Sequence, residues 1–116
     1  MLVVDDHGGF RELAREVLGM RGYTVVGEAG CAASALDAAQ RLQPDAILVD
    51  VRLGADNGFE VAPTLRRSCP DAAVVLMSND DYSASSEVRR AGAHGFVHKA
   101  QLPRLDLTQY LSTEAA

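Results

Sequence analysis

The sequence predicts an α/β fold in three layers, with a parallel five-stranded sheet between helices. Two observations carry this. The aliphatic runs Ala46-Ile47-Leu48-Val49 and Ala72-Ala73-Val74-Val75-Leu76-Met77 lack the alternation of a sheet with one wet face, so they fit strands buried on both faces. Strand-like and helix-like segments also alternate five times with connections of a few residues, the pattern of right-handed βαβ crossovers.

The elements follow in order. Met1-Leu2-Val3-Val4 is a short first strand ending in Asp5-Asp6. Phe10, Leu13, Ala14, Val17 and Leu18 recur at helical spacing opposite Arg11, Glu12, Arg15 and Glu16, and Gly22 is placed to end that helix. Tyr23 to Val26 supplies the second strand. Ser34 to Leu42 is an alanine-rich helix stopped before Pro44, with Ala35, Leu36, Ala39 and Leu42 on one face. The third strand, Ala46 to Asp50, closes on a carboxylate. Asn57 with Glu60 three residues on opens a helix to about Cys69, which Pro63 should bend or loosen. The fourth strand, Ala72 to Met77, ends at Ser78. Residues 83–91 form a polar helix with Val88 and Ala91 as its core contacts, the least firmly held element. Gly95 to Val97 is the fifth strand, ending near Lys99. Leu102-Pro103 opens a last helix carrying Leu105, Leu107, Tyr110 and Leu111.

The 116 residues make one domain, 1–116, with no segment left for a second. An apolar content of 47% with 5% aromatics describes a globular chain with an aliphatic core. The net charge of −5, with no basic run longer than Arg66-Arg67 or Arg89-Arg90, argues against nucleic acid or an anionic membrane as direct partner. Cys31 and Cys69 are far apart without metal spacing and read as reduced, packed thiols. No apolar run reaches membrane-spanning length, and a cytoplasmic location is expected.

In an open parallel sheet the C-terminal strand ends share one rim, where ligands bind. Those ends carry Asp5, Asp6, Asp50, Ser78 and Lys99. Singly, each would be an ordinary solvated loop residue. Together, three crowded carboxylates call for a cation, and oxygen ligands with open positions suit Mg²⁺. A hydroxyl and an ammonium beside them suit phosphoryl oxygens, so the chemistry implied is phosphoryl transfer to a carboxylate.

These motifs are where the chain resembles the receiver domain of two-component response regulators. Val3-Val4-Asp5-Asp6-His7 resembles the acidic pair, with a histidine typical of the LuxR/NarL-type subgroup. Leu48-Val49-Asp50-Val51-Arg52-Leu53 with Gly58 resembles the phosphoacceptor segment, Met77-Ser78 the hydroxyl position, and Ala91 to Lys99 the segment ending in the lysine. The resemblance implies a flavodoxin-like, CheY-like fold with strand order 2-1-3-4-5. It also implies Asp50 as acceptor from a sensor histidine kinase or phosphotransfer protein, and Mg²⁺ held by Asp5, Asp6, Asp50 and the Arg52 backbone carbonyl. Ser78 and Lys99 would contact the phosphoryl group, and Ser78 with Phe96 would form the switch acting on the α4-β5-α5 surface. An output domain or partner protein, and a homodimer, are compatible with the family. Any catalysis would be confined to the protein's own phosphorylation and dephosphorylation.

Three positions depart from the family pattern. Gly54 replaces a common proline and should loosen the loop after Asp50, Asn79 should crowd access to the site, and Ala100 follows Lys99 where many members have proline. Arg52 and Asp80 flank the site. Two other readings compete: a degenerate receiver acting as a phosphorylation-independent interaction module, and an aspartate-nucleophile hydrolase, which would want an acid where Arg52 stands. His94 and His98 lie four apart on a turn and strand, where that spacing makes no metal pair, and His7 reads as a loop residue beside the acidic pair.

Overall fold

A computed structural model describes residues 1–82 and 85–111. It contains the expected parallel sheet: β1 (Leu2–Val4), β2 (Gly27–Ala29), β3 (Ala46–Asp50), β4 (Ala73–Ser78) and β5 (Gly95–His98), in the order β2-β1-β3-β4-β5. The order is the 2-1-3-4-5 expected. Every pairing is parallel, with Leu2 beside Ile47 and Asp50 beside Met77. The three long helices are α1 (Gly8–Met20), α2 (Ala32–Leu42) and α3 (Gly58–Ser68), followed by the short α4 (Ser86–Arg90) and α5 (Thr108–Leu111).

The central strands alternate their side chains between two cores. Leu2, Val4, Ile47, Val49, Val74 and Leu76 face α2 and α3, whereas Val3, Leu48, Val75 and Met77 face α1 and the C-terminal segment. β3 and β4 are buried along their whole length, which is why their sequences read as continuous aliphatic runs.

Four expectations are corrected. The second strand is Gly27–Ala29, not Tyr23–Val26. Parallel pairing with Leu2–Val4 draws the later segment into the ladder, and Asp5 N–H closes on Ala29 O at 2.9 Å. The β-branched run before it lies alongside Met1, whose N-terminal ammonium donates to Thr24 O at 2.7 Å and whose oxygen accepts from Val26 N–H at 2.8 Å, with Val25 buried and Val26 exposed. Gly27 packs closely against α2 there: a Cβ would stand 2.6 Å from Leu42 Cδ1, so that side chain would have to turn aside.

The last helix is broken. Lys99–Arg104 is a 3-10 helix, Leu105 is extended, and α5 begins only at Thr108. Asp106 sets that start, its carboxylate accepting from Thr108 N–H and Oγ1 at 3.0 and 2.6 Å. Leu105 and Leu107 are buried in the irregular stretch, which α1's end ties down: Arg21 donates to Leu105 O, and Leu107 N–H donates to Tyr23 Oη at 2.9 Å.

Leu13 lies off the buried stripe of α1 and is 54% exposed, leaving Phe10, Ala14, Val17 and Leu18 to make the contact. Cys31 is exposed rather than packed. It caps α2, with its N–H 3.4 Å and its Sγ 3.3 Å from Ser34 Oγ. That hydrogen bonding to Ser34 holds the Cys31 thiol below its ordinary value. Cys69 is buried as expected, and burial pushes its thiol up.

Other expectations held. Gly22 ends α1 at φ +89°, α3 runs from Gly58 to Ser68, and Val88 and Ala91 are the buried residues of the α4 region; Pro63 lies inside α3 without dividing it. Residues 83 and 84 of the expected fourth helix lie outside the described residues. In the loop after Asp50, Arg52–Leu53 pairs with Asp56–Asn57 in a small antiparallel hairpin, with Gly54 at φ +64° in its turn and Leu53 buried. Among the described residues no helix is long and apolar enough to cross a membrane.

Candidate functional site

The strand-end residues converge on one cleft of about 420 Å³, lined by His7, Phe10, Asp50, Arg52, Ser78, Asn79, Asp80 and Lys99. Asp5 leaves β1 and is fully buried. Its Oδ1 accepts from His7 N–H at 2.8 Å and its Oδ2 from Lys99 Nζ at 2.6 Å, while Arg11 Nη1 holds its backbone oxygen at 2.6 Å. Asp50 ends β3 with Oδ1 accepting from Arg52 N–H at 3.1 Å and Oδ2 from Lys99 Nζ at 3.0 Å. A single ammonium, its side chain 9% exposed, therefore bridges two buried carboxylates.

Local sequence explains this placement. Gly58 N–H donates to Val51 O at 2.8 Å, so the start of α3 lies against the backbone that carries Asp50. A Cβ at Gly58 would come 2.2 Å from Asp50 O, and only glycine permits that approach. Asn57 caps the helix through Phe59 N–H at 2.8 Å. Lys99 is presented at the junction of β5 and the 3-10 helix, where His98 Nδ1 accepts from Ala100 N–H at 3.1 Å.

Burial works to raise the Asp5 carboxyl, but the Lys99 ammonium and the His7 N–H prevail and hold it below the usual range. Burial dominates at Asp50 and raises it, with the Arg52 N–H and Lys99 opposing. At Lys99 burial disfavours the charge, yet the bonds to Asp5 and Asp50 outweigh it and raise the group. The lysine is charged, one carboxylate is firmly ionised, and the other is destabilised as an anion.

Asp6 stands at the mouth with Oδ1 3.0 Å from His7 Nδ1. Asp5, Asp6, His7 and Asp50 each bring one ligand atom to within 4.8 Å of the others, a spacing that fits a bound cation. Ser78 is buried at the end of β4, where its Oγ accepts from Asp80 N–H at 3.0 Å. Arg52 and Asp80 close one side of the mouth through a 3.1 Å ion pair, and Asn79 is exposed on its rim. Gly54 lies beside the acids, since a Cβ there would be 3.5 Å from Asp6 Oδ2.

Phe96 is half-buried on β5 and stacks edge-on with Tyr82 at 5.9 Å, which in turn packs on Phe59 at 5.4 Å. Sequence reasoning missed this ladder because its three rings come from three distant segments. It also treated Phe10 as a plain core residue, although its ring centroid is 4.1 Å from Lys99 Nζ. It gave His7 no contact role; a histidine directly after an acidic pair was the signal available. His94 and His98 both serve the local backbone. Each Nδ1 accepts a backbone N–H, from Val74 at 3.0 Å and from Ala100 at 3.1 Å.

Comparison with known proteins gives the chain a family. A family model described as the response regulator receiver domain matches residues 1–111. The response regulator GacA of Pseudomonas aeruginosa is 36% identical over 101 residues, covering 85% of this chain and 47% of that protein. The nitrate/nitrite response regulator NarP of Escherichia coli is 37% identical over 109 residues, covering 90% and 50%. Among solved structures, a LuxR-family two-component response regulator from Aurantimonas sp. has a TM-score of 0.81 at 32% identity, covering 98% of this chain and 81% of that one. The receiver of a NarL from Mycobacterium tuberculosis has a TM-score of 0.75 at 32% identity, covering 98% and 90%. The chain spans about half the length of the curated relatives it matches. With the family match running from the acid-tipped first strand past the single lysine, the chain belongs to the response regulator receiver domains of two-component systems.

Proposed function

We propose that the chain accepts a phosphoryl group on Asp50 in a Mg²⁺-dependent reaction and passes the change to its α4-β5-α5 surface. The observation that carries this reading is Lys99 Nζ bonded to both Asp5 Oδ2 and Asp50 Oδ2 at the floor of an open cleft. An Asp50 oxygen forms the new P–O bond while the donor's P–N bond breaks, its electron pair returning to the imidazole of a kinase or phosphotransfer histidine. Lys99 then turns from the Asp50 carboxylate to a phosphoryl oxygen. The Ser78 hydroxyl, whose oxygen already accepts from Asp80 N–H, donates a hydrogen bond to another. Mg²⁺, when bound, neutralises the developing phosphoryl charge. Asp5, Asp6, Asp50 and the Arg52 carbonyl would hold it, and the clustering of acidic ligand atoms within 4.8 Å supports that fit.

Movement of Ser78 toward the phosphoryl group opens space behind it for Phe96 to turn inward, leaving its contact with Tyr82. The short α4 next to β5 is the element whose population such a turn shifts. The partners on this reading are a sensor histidine kinase or phosphotransfer protein and an output domain or partner protein, acting in the cytoplasm. The domain itself would contact no nucleic acid or membrane. Intact pairing of Asp50, Asp5 and Lys99 leaves no observation in favour of a vestigial pocket.

Incubation with Mg²⁺ and acetyl phosphate should give an acid-stable, alkali-labile adduct that is lost in Asp50→Ala and needs the divalent cation. No adduct on the wild-type protein would overturn the reading.

A further inference from the structure

Phe10 meets the one ammonium on which the proposed reaction depends, although helix periodicity assigns it only to the core. It lies in the first turn of α1, half-buried against the α1-side core, and its ring lines the same cleft as Asp50 and Ser78. Lys99 Nζ sits 4.1 Å from the ring centroid, inside the roughly 6 Å over which a ring face attracts a cation. An ammonium has three N–H bonds. Asp5 Oδ2 and Asp50 Oδ2 take two of them, at 2.6 and 3.0 Å, and the ring covers a further side. With the side chain 9% exposed, little water is left to compete.

We propose that Phe10 is a positioning residue for phosphoryl transfer. Its ring holds the Lys99 ammonium at the cleft floor and restricts it to the short path from Asp50 Oδ2 to a phosphoryl oxygen. The inference rests on the reading of Asp50 as the acceptor. When acetyl phosphate is the donor, an Asp50 oxygen forms a P–O bond as the acetyl P–O bond breaks, and the electron pair leaves on acetate. The phosphorylated Asp50 oxygen loses its charge while negative charge gathers on the phosphoryl group. Lys99 must follow that charge without swinging into solvent. The electron-rich ring face supplies an attraction that an aliphatic wall of similar size lacks, so leucine separates the two roles.

Lys99 is the only lysine of the 116 residues, so lysine-selective isotope labelling reports on it alone by NMR. In the wild type the Lys99 ε-methylene protons should carry an upfield ring-current shift, which F10Y keeps and F10L abolishes. With acetyl phosphate and Mg²⁺, F10L should modify Asp50 about threefold to tenfold more slowly than the wild type, while F10Y restores most of the rate. Urea midpoints of the two variants should agree. A wild-type rate in F10L, or equal slowing in F10L and F10Y, overturns the role of Phe10 alone and assigns it to packing. No adduct on the wild type overturns the reading of Asp50, and this role with it.

Discussion

The first three βα units and the last two are built differently. Helices α1, α2 and α3 have 13, 11 and 11 residues, whereas α4 has five and is followed by β5 and a 3-10 helix. α3 buries Val61, Ala62 and Leu65 in one continuous stripe; α4 buries only Val88. An element with few buried apolar contacts opens at lower free-energy cost than one packed along its length. The site straddles this boundary. Asp5, Asp6 and Asp50 belong to the firmly packed part, and Ser78 and Lys99 arrive from the other. The lesson is that Lys99 joins the acids to the segment that must move, through two charged hydrogen bonds.

Breaking that joint should have the largest effect. Lys99→Ala leaves Asp5 and Asp50 buried without their cation and should destabilise by about 3–5 kcal/mol in the absence of divalent ions, read from urea unfolding. A loss under about 1 kcal/mol would show that the two parts are held together elsewhere. Leu65→Ala, in the firm part, opens a cavity at a fully buried site and should cost about 3 kcal/mol as a single cooperative transition. Val88→Ala should cost about 1.5 kcal/mol. Its signature is regional: amide exchange should accelerate over residues 86–98 and leave α1 to α3 unchanged. Acceleration spread evenly over the sheet would erase the contrast between the two parts.

The smallest effect concerns a surface pairing within the firm part. Glu28 on β2 takes Arg15 at 2.9 Å and Arg11 at 3.1 Å, and these guanidiniums, Arg15 foremost, hold its carboxyl below the ordinary value. A depressed folded-state value means the contribution is present above the ordinary glutamate range and disappears as pH falls through the folded value. Glu28→Gln should therefore cost about 0.5 kcal/mol at neutral pH and nothing once both states are protonated. An equal cost at pH 7 and at strongly acidic pH would mean that packing, not charge, makes the difference.

Much of the site was legible because strand ends are a local signal. A parallel strand buried on both faces must be aliphatic, so the first polar residue after it marks its mouth, and Asp5, Asp50 and Ser78 sit at such positions. Gly58 was legible as a motif residue, but its reason, the approach to Asp50 O, needed the packed structure. The second strand was misplaced because Thr24, Val25 and Val26 have strand propensity, whereas pairing along Leu2–Val4 selected Gly27–Ala29. The last helix was drawn through Leu105 because its leucines recur at nearly helical spacing. Their burial instead comes from an extended stretch pinned by Arg21 and Tyr23, more than 80 residues away in the chain.

The sequence by itself determined the parallel α/β class, the buried central strands and the acids, hydroxyl and lysine at the sheet's rim. Each follows from the character of a few neighbouring residues. Only the tertiary structure decided which groups meet: the Phe10 ring over Lys99, His7 beside Asp6, the Phe59-Tyr82-Phe96 ladder and the Arg52–Asp80 pair. Apart from the neighbours His7 and Asp6, those contacts join side chains from separate βα units, and their distances depend on how the helices settle on the sheet. No periodicity along the chain encodes that.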